Sequence, residues 1–220
     1  MLTTKRPIIQ SIIAICGVFL AVYGLIAFNE HLLFNFSLFP RMILMVITQW
    51  TLFLVPGILM WIQNEKISAL GFSKERIPKQ IVSGVLLALA MSAILTVLPI
   101  LLGFKDMVGS ASFKHLWQFV FEFSYTILGV ALAEELVFRG YLFHKLLEIQ
   151  NSRWFAIIVS SVLFGLFHIF SGNLIQVFMT AMIGFIYCLY REKVKDCTLL
   201  TLIIAHGLYD GMIVLWVFCL

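Results

Sequence analysis

Seven ionisable side chains lie within apolar stretches of this 220-residue chain. Where such a stretch crosses a bilayer, an unpaired charge costs about 3 kcal/mol on insertion scales. A buried carboxylate can take a proton from water, and a histidine can donate a hydrogen bond to developing negative charge. The residue types therefore favour hydrolytic or proton-transfer chemistry within a membrane. The seven residues are Glu122, Glu134, Glu135, Arg139, His168, His206 and Asp210.

The spacing within residues 133–140 separates the tasks of two adjacent carboxylates. Glu135 and Arg139 are four residues apart, so in a helix they share a face and can pair. Glu134 is rotated by about 100° from Glu135 and has no such partner in its own helix. This pattern predicts that Arg139 holds Glu135, whereas Glu134 is available for proton transfer.

Two later segments supply the histidines. His206 and Asp210 are also four residues apart and would project together from the last apolar stretch. His168 follows Phe164 at the same spacing in an earlier stretch. We expect Glu134 to face His168, His206 and Asp210 across a helical bundle.

Purely structural interpretations compete with this one. A single buried His or Asp is often only a hydrogen-bonding residue, and the Glu135–Arg139 pair could simply orient its helix. Glu122 is isolated near the outer end of its stretch, and we interpret it as interfacial. The remaining four residues lie on three different stretches, and four unrelated structural roles are a poor explanation of such a set. These residues are Glu134, His168, His206 and Asp210.

The composition is that of a membrane protein. Hydrophobic residues make up 62% of the chain and charged residues 12%, about half the charged share of soluble domains. Several apolar runs are near twenty residues long, and backbone groups in lipid must bond within their own segment, so these runs predict helices. We expect an all-α, multi-pass transmembrane bundle of about seven spans. The predicted spans are 8–28, 42–62, 80–102, 116–147, 154–170, 174–190 and 198–218.

The spans suggest how the chain is organised. Residues 1–115 would hold spans one to three, and residues 116–220 would form the catalytic core of one integrated membrane domain. Span four exceeds the thickness of a bilayer, so we expect it to be tilted, broken or partly surface-bound. Ser171, Gly172 and Asn173 would form a tight connection, and residues 191–196 a charged loop.

The basic residues divide unevenly between the two sides of such a bundle. With Arg139 set aside, the positive-inside rule puts the N-terminus in the cytoplasm and the C-terminus outside the cell membrane. The chain has no basic cluster interleaved with aromatic residues, so the expected partner is the lipid bilayer and not nucleic acid. One side carries eleven basic residues, Lys5, Arg6, Lys66, Lys74, Arg76, Lys79, Lys145, Arg153, Arg191, Lys193 and Lys195, and the other three, Arg41, Lys105 and Lys114.

Three motifs taken together resemble those of the CPBP family. This family comprises CAAX prenyl endopeptidases of the second type, bacteriocin-processing and self-immunity proteins, and related bacterial membrane proteins. Each motif is weak alone, but the three in this order on three spans are specific. The resemblance covers about residues 116–215 and implies a CAAX-protease-like helical core. The motifs are Glu134-Glu135-x-x-x-Arg139 followed by Gly140, Phe164-x-x-x-His168, and His206-x-x-x-Asp210.

The resemblance implies an intramembrane endopeptidase that acts on a membrane-associated peptide or protein. By position, Glu134 would activate water with help from His168. His206 and Asp210 would bind the scissile carbonyl and stabilise the oxyanion. The residues expected to support this site are Glu135, Arg139 and Phe164.

One departure from the family pattern concerns Asp210. The third motif often ends in Asn, whose amide can donate to an oxyanion, whereas an ionised Asp cannot donate. Asp210 would then be protonated, orient His206 or ligate a metal. A catalytic zinc is one possibility, with His168, His206 and Asp210 as ligands, although the chain contains no HExxH motif. A metal-free glutamate mechanism uses the same residues differently.

Two alternatives to a peptidase stay open. The chain could be a non-proteolytic bacteriocin self-immunity or scaffolding protein with the same fold, or a small proton-coupled transporter. The intact motifs favour the enzyme, because a scaffold could lose Glu134 or His206 without penalty. A transporter would show internal repeats and broken spans, which this sequence lacks. The compact size and the lack of targeting extensions favour a bacterial source.

Overall fold

The computed structural model describes residues 5–109, 111–170 and 173–220. Within these ranges the chain forms helices and no strand, which confirms the all-α prediction. Seven of the described helices are long and apolar enough to cross a membrane, as predicted. Ser171 and Gly172, assigned above to a tight connection, lie outside the described residues. The seven helices are α1 (Lys5–Asn35), α2 (Leu38–Ile62), α3 (Ile77–Leu101), α4 (Leu116–Ile149), α5 (Arg153–Phe170), α6 (Leu174–Lys193) and α7 (Leu199–Cys219).

Short polar side chains define where the last three helices begin. The Ser152 hydroxyl accepts a hydrogen bond from a backbone N–H in the first turn of α5, and the Asn173 side chain does the same for α6. Thr198 and Thr201 form a reciprocal capping box at the start of α7. Such caps satisfy backbone donors that a helix leaves unpaired, and they therefore fix its first residue.

Helix α4 is continuous but not regular. Its 34 residues include two π-helical segments, Thr126–Ala131 and Leu136–Leu142, which flank the short α-helical segment Leu132–Glu135. A π turn contains one more residue than an α turn, so it rotates the residues that follow it. Of the three possibilities stated for this long span, a break is therefore absent, and two wide turns lie on either side of the paired carboxylates.

Glycines let α7 and α5 approach their neighbours closely. A Cβ atom added at Gly207 of α7 would lie 2.7 Å from the Cα of Ile127 on α4. At Gly165 of α5 it would lie 2.6 Å from the backbone oxygen of Val177 on α6. Real side chains do not approach that closely, so these contacts require glycine. His206, which precedes Gly207, contacts Glu135 of α4, and Phe164, which precedes Gly165, contacts Arg139 of α4.

The main hydrophobic core joins the N-terminal helices to the C-terminal ones. Buried side chains of α1 pack in one cluster with those of α4, α5 and α7, so the first span is part of the same packed body. The middle of this cluster is the π-helical part of α4, where every side chain is buried. The cluster includes Ala14, Val18, Leu52, Met60, Val137, Phe138, Phe164, Phe167, Leu199 and Ile203.

Ion pairs tie together the connections at one end of the bundle. Arg76, before α3, contacts Asp196, before α7, at 2.7 Å. Lys145 is buried near the end of α4 and pairs with Glu65, which follows α2. These contacts place the connections that follow α2, α4 and α6 side by side, which is the arrangement an alternating seven-span chain requires.

Candidate functional site

Glu135 is the centre of a buried polar cluster inside the bundle. Its Oε1 atom accepts a hydrogen bond from Nη1 of Arg139 at 2.8 Å, so the structure contains the predicted pair. The same oxygen lies 2.8 Å from Nδ1 of His206 on α7. Both Glu135 and Arg139 are fully buried. One carboxylate oxygen thus joins α4 to α7.

His206 brings three carboxylates together. Its Nδ1 faces Glu135, while its Nε2 lies 3.3 Å from Oδ2 of Asp210 and 3.8 Å from Oε2 of Glu134. Asp210 is the most exposed of the three, with 27% of its side chain accessible, whereas Glu134 and His206 are almost completely buried. The expected convergence of Glu134, His206 and Asp210 is present, but the closest partner of His206 is Glu135.

Phe164 connects His168 to this cluster. The Arg139 guanidinium lies over the Phe164 ring, with its Cζ atom 4.0 Å from the ring centroid, a cation–π contact that burial strengthens. The His168 and His206 rings both meet the Phe164 ring edge to face, at centroid distances of 5.0 and 5.9 Å. The backbone oxygen of Phe164 lies 2.9 Å from Nδ1 of His168, where α5 tightens into its last turn. Phe164 therefore packs against three of the predicted site residues.

Two polar side chains not identified from the sequence hold the backbone beside the cluster. Ser160 of α5 donates a hydrogen bond from its hydroxyl to the Phe138 carbonyl at 2.9 Å. Arg191 donates to the carbonyl of Arg139. Both carbonyls belong to the π-helical segment Leu136–Leu142, whose widened turn leaves such groups in need of partners.

The position of Arg191 corrects an expectation. Residues 191–196 were interpreted as a charged loop, but α6 continues to Lys193 and directs Arg191 into the bundle. Its guanidinium also occupies the space where a side chain at Gly71 would begin. A charged residue can continue a helix at its end when its head group donates a hydrogen bond to a buried carbonyl. Hydropathy does not reveal such a partner, so the charged residues alone predict a loop here.

Helix α6 also contributes a small residue and an aromatic ring to the wall of the site. A Cβ atom at Gly184 would lie 3.1 Å from Nη2 of Arg139, so glycine leaves room for the guanidinium. Tyr187, three residues further and on the same face, is fully buried. Its ring centroid lies 5.5 Å from that of His206 and 5.4 Å from Cζ of Arg139. No sequence pattern marked Tyr187 as a site residue. Tyrosines are common where apolar spans meet the membrane interface, so one more tyrosine in a span is not informative.

The donors are not arranged as a metal-ligand set. Across the described parts of the chain, no three His, Cys, Asp or Glu side chains converge in a way that could hold a metal ion. The Nδ1 atom of His206 is bound to Glu135, and that of His168 lies against the Phe164 backbone. No step of the reaction is therefore assigned to a metal, and a catalytic zinc, one of the two mechanisms left open above, stays a prediction.

The arrangement can support proton transfer in a site shielded from water. Glu134 is buried, and its Oε2 atom has no hydrogen-bond partner among the described residues. Glu135, in contrast, is fixed by two donors. The predicted division between a held carboxylate and an available one therefore matches the hydrogen bonds of this cluster.

Comparison with known proteins agrees with the motifs. Residues 114–212 match the family model described as type II CAAX prenyl endopeptidase Rce1-like. No curated protein and no solved structure shows significant similarity to the chain. The matched region contains all three motifs and every residue of the buried cluster. This C-terminal core of the chain, residues 114–212, is thus similar to the type II CAAX prenyl endopeptidases, in agreement with the resemblance of its three motifs to the CPBP family.

Proposed function

We propose that the chain is an intramembrane endopeptidase in which Glu134 is the general base. The observation that supports this proposal is the cluster around His206, where a free carboxylate oxygen of Glu134 lies beside a second carboxylate that is already held. A structural ion pair needs only Glu135 and Arg139. Glu134 adds a buried acid whose Oε2 atom has no hydrogen-bond partner among the described residues, and such groups are typical of catalytic sites.

The reaction begins with a water molecule next to Glu134. The carboxylate takes a proton from this water as the water oxygen bonds to the carbonyl carbon of the peptide, and the carbonyl π electrons move to oxygen. When the tetrahedral intermediate collapses, the carbon–nitrogen bond breaks, and the proton on Glu134 passes to the leaving amine. The products are a carboxylic acid and an amine. His168 assists by orienting the water.

His206 stabilises the negative charge that develops on the carbonyl oxygen. A ring nitrogen can donate to this oxygen in a site of low polarity, where such a hydrogen bond is worth more than in water. Of the three roles left open for Asp210, its position 3.3 Å from Nε2 of His206 supports the second, in which it orients the imidazole. Glu135 fixes the ring from the other side through Nδ1.

The proposed substrate is a peptide bond in a membrane-associated peptide or protein. The name of the matched family describes cleavage of prenylated CAAX proteins, and a farnesylated peptide is therefore the first substrate to test. Bacteriocin processing or self-immunity is the corresponding proposal for a bacterial source. We also propose that the protein lies in the cell membrane with its N-terminus in the cytoplasm. The reason is that the positive-inside rule assigns the side with eleven basic residues to the cytoplasm.

The test compares the wild-type protein with Glu134→Gln in proteoliposomes. The substrates are quenched fluorescent peptides, one set farnesylated at a C-terminal CAAX cysteine and one set apolar and unprenylated. Loss of a general base should lower kcat by about 10²- to 10⁴-fold. Glu122→Gln is the matched control, because Glu122 is a partly exposed acid on the same helix and lies outside the cluster.

Each result of this test has a definite meaning. Equal cleavage by the wild type and Glu134→Gln would contradict the role of Glu134. No cleavage by the wild type above that of liposomes without protein would overturn the peptidase function and favour the immunity or scaffolding alternative. Zinc analysis of the active protein, followed by chelation and add-back, tests the metal version. Activity that survives complete metal removal would refute that version.

A further inference from the structure

The Tyr187 hydroxyl is a buried polar group without a structural role. Tyr187 is fully buried, and its hydroxyl oxygen has no hydrogen-bond partner among the described residues. Burying a hydroxyl without a partner is unfavourable, so such a group in a native protein requires an explanation. Tyr190, one turn further along α6, shows the usual solution, because its hydroxyl lies 2.9 Å from the Ser83 hydroxyl.

The surroundings of Tyr187 place its hydroxyl next to the catalytic cluster. The ring packs against His206 and Arg139 at the distances given above. The charged side chains whose fields act on the phenol are Asp210, Glu135 and Arg139. Tyr187 therefore packs against the groups that would surround a reacting carbonyl, and because it is fully buried it does not lie at the lipid-facing surface of α6.

The site needs a hydrogen-bond donor that the third motif does not supply. An ionised carboxylate at Asp210 accepts hydrogen bonds and cannot donate them, whereas an asparagine at this position could. Of the two ring nitrogens of His206, Nδ1 is bound to Glu135, so only Nε2, which also faces Asp210, can donate to the oxyanion, and a second donor is missing. A phenol is a neutral donor at physiological pH, and the Tyr187 hydroxyl is not engaged with any of these groups.

We propose that Tyr187 is a catalytic residue whose hydroxyl donates a hydrogen bond to the scissile carbonyl oxygen as that oxygen gains negative charge. This inference rests on the peptidase function proposed above. The hydroxyl keeps its proton throughout, and no bond to it is formed or broken. The hydrogen bond is strongest in the transition state, because the negative charge on the carbonyl oxygen is largest there. It therefore affects kcat much more than KM.

The experiment compares Tyr187→Phe with Tyr190→Phe, which remove the same atom from the same helix. Both variants are reconstituted in proteoliposomes and assayed with the farnesylated and unprenylated peptides, alongside the wild type and Glu134→Gln. Removal of one oxyanion donor typically lowers kcat by about 10²-fold or more, and we expect this for Tyr187→Phe with KM little changed. Tyr190→Phe should keep the wild-type kcat.

Thermal stability provides a second readout, in which the two variants should rank in the opposite order to their activities. Tyr187→Phe removes an unpaired hydroxyl, so its Tm should equal or exceed that of the wild type. Tyr190→Phe loses the hydrogen bond with Ser83, and its Tm should fall by about 2–4 °C. A variant that loses activity only because it unfolds would lose stability as well.

The outcomes separate this inference from the function on which it rests. If Glu134→Gln is inactive and Tyr187→Phe cleaves like the wild type, the role of Tyr187 is wrong and the peptidase function stands. A decrease in kcat of Tyr187→Phe together with a lower Tm would identify a structural role and refute the inference. A wild type no more active than liposomes without protein would overturn both proposals.

Discussion

The buried pair of Glu135 and Arg139 leads to a prediction about stability that does not depend on any substrate. The proposed change is Arg139→Leu, which keeps much of the side-chain volume and removes the charge. Glu135 would then retain His206 as its remaining partner at 2.8 Å. The guanidinium would also leave the face of the Phe164 ring, where it lies 4.0 Å from the centroid.

The size of the effect follows from complete burial of both side chains. Removing one partner of a buried ion pair typically costs about 3–5 kcal/mol, because the other charge is left uncompensated. The lost cation–π contact accounts for up to about 2 kcal/mol of this range. Since the two residues are four apart in one helix, an unfolded but still helical α4 can keep part of the pair. We therefore expect a loss of about 3 kcal/mol.

A double-mutant cycle identifies the cause of this loss. Glu135→Gln removes the second charge but keeps an oxygen that can accept a hydrogen bond from His206. The double variant Glu135→Gln/Arg139→Leu should be more stable than Arg139→Leu alone by about 1–2 kcal/mol, because no buried charge is left without a partner. The measurement is reversible unfolding in mixed micelles, with the helical content followed as denaturing detergent is added.

Two results would refute this reasoning. The first is an Arg139→Leu variant whose free energy of unfolding stays within about 0.5 kcal/mol of the wild type, as for a surface substitution. The second is strict additivity in the cycle, with the double variant losing the sum of the two single losses. Either result would mean that the pair contributes no net stabilisation and that packing alone holds this part of α4.

Two further predictions concern the helix contacts around the cluster. Ser160→Ala should lower the free energy of unfolding by about 1–3 kcal/mol and lower kcat, because it leaves the buried Phe138 carbonyl without its donor. Ser161→Ala should cost less, because the Ser161 hydroxyl bonds only within its own helix and to a sulfur atom. Equal losses for the two variants in unfolding assays would contradict the role of Ser160. Gly207→Ala should cost about 1–3 kcal/mol, because its Cβ atom would collide with the backbone of α4. Gly24→Ala, where the added atom meets nothing within 4 Å, should be neutral or slightly stabilising, and similar Tm values for both glycine variants would disprove this close packing.

The fold was predictable because hydropathy and helix length act locally. All seven predicted spans overlap the spanning helices of the structure. The end of α1 was predicted at Phe28, whereas the helix continues to Asn35 through a polar stretch. A helix can extend beyond the hydrocarbon region without any apolar signal, so its last turns are not visible to hydropathy.

The site was predictable only where both partners lie on one helix. The pairs Glu135–Arg139 and His206–Asp210 followed from a spacing of four residues, and both contacts are present. The closest cross-helix partner of His206 was not predicted, because the rotation of α4 depends on π-helical turns that leave no clear sequence pattern. The contribution of Tyr187 was missed for a related reason. Its ring contacts His206 and Arg139 on two other helices, and no fixed spacing in the sequence marks such contacts.

The widened turn at Leu136–Leu142 has a consequence for how this helix can change in length. An ordinary α turn holds 3.6 residues, so removing one residue here would let the backbone close into a regular helix. The wide turn absorbs that extra residue, so everything after the deletion would keep nearly its present direction relative to Glu135. Lys145 would therefore stay beside Glu65 and keep its buried ion pair. The same deletion in a regular turn of α4 would instead rotate all later residues by about 100°, so α4 should tolerate the loss of one residue better here than elsewhere.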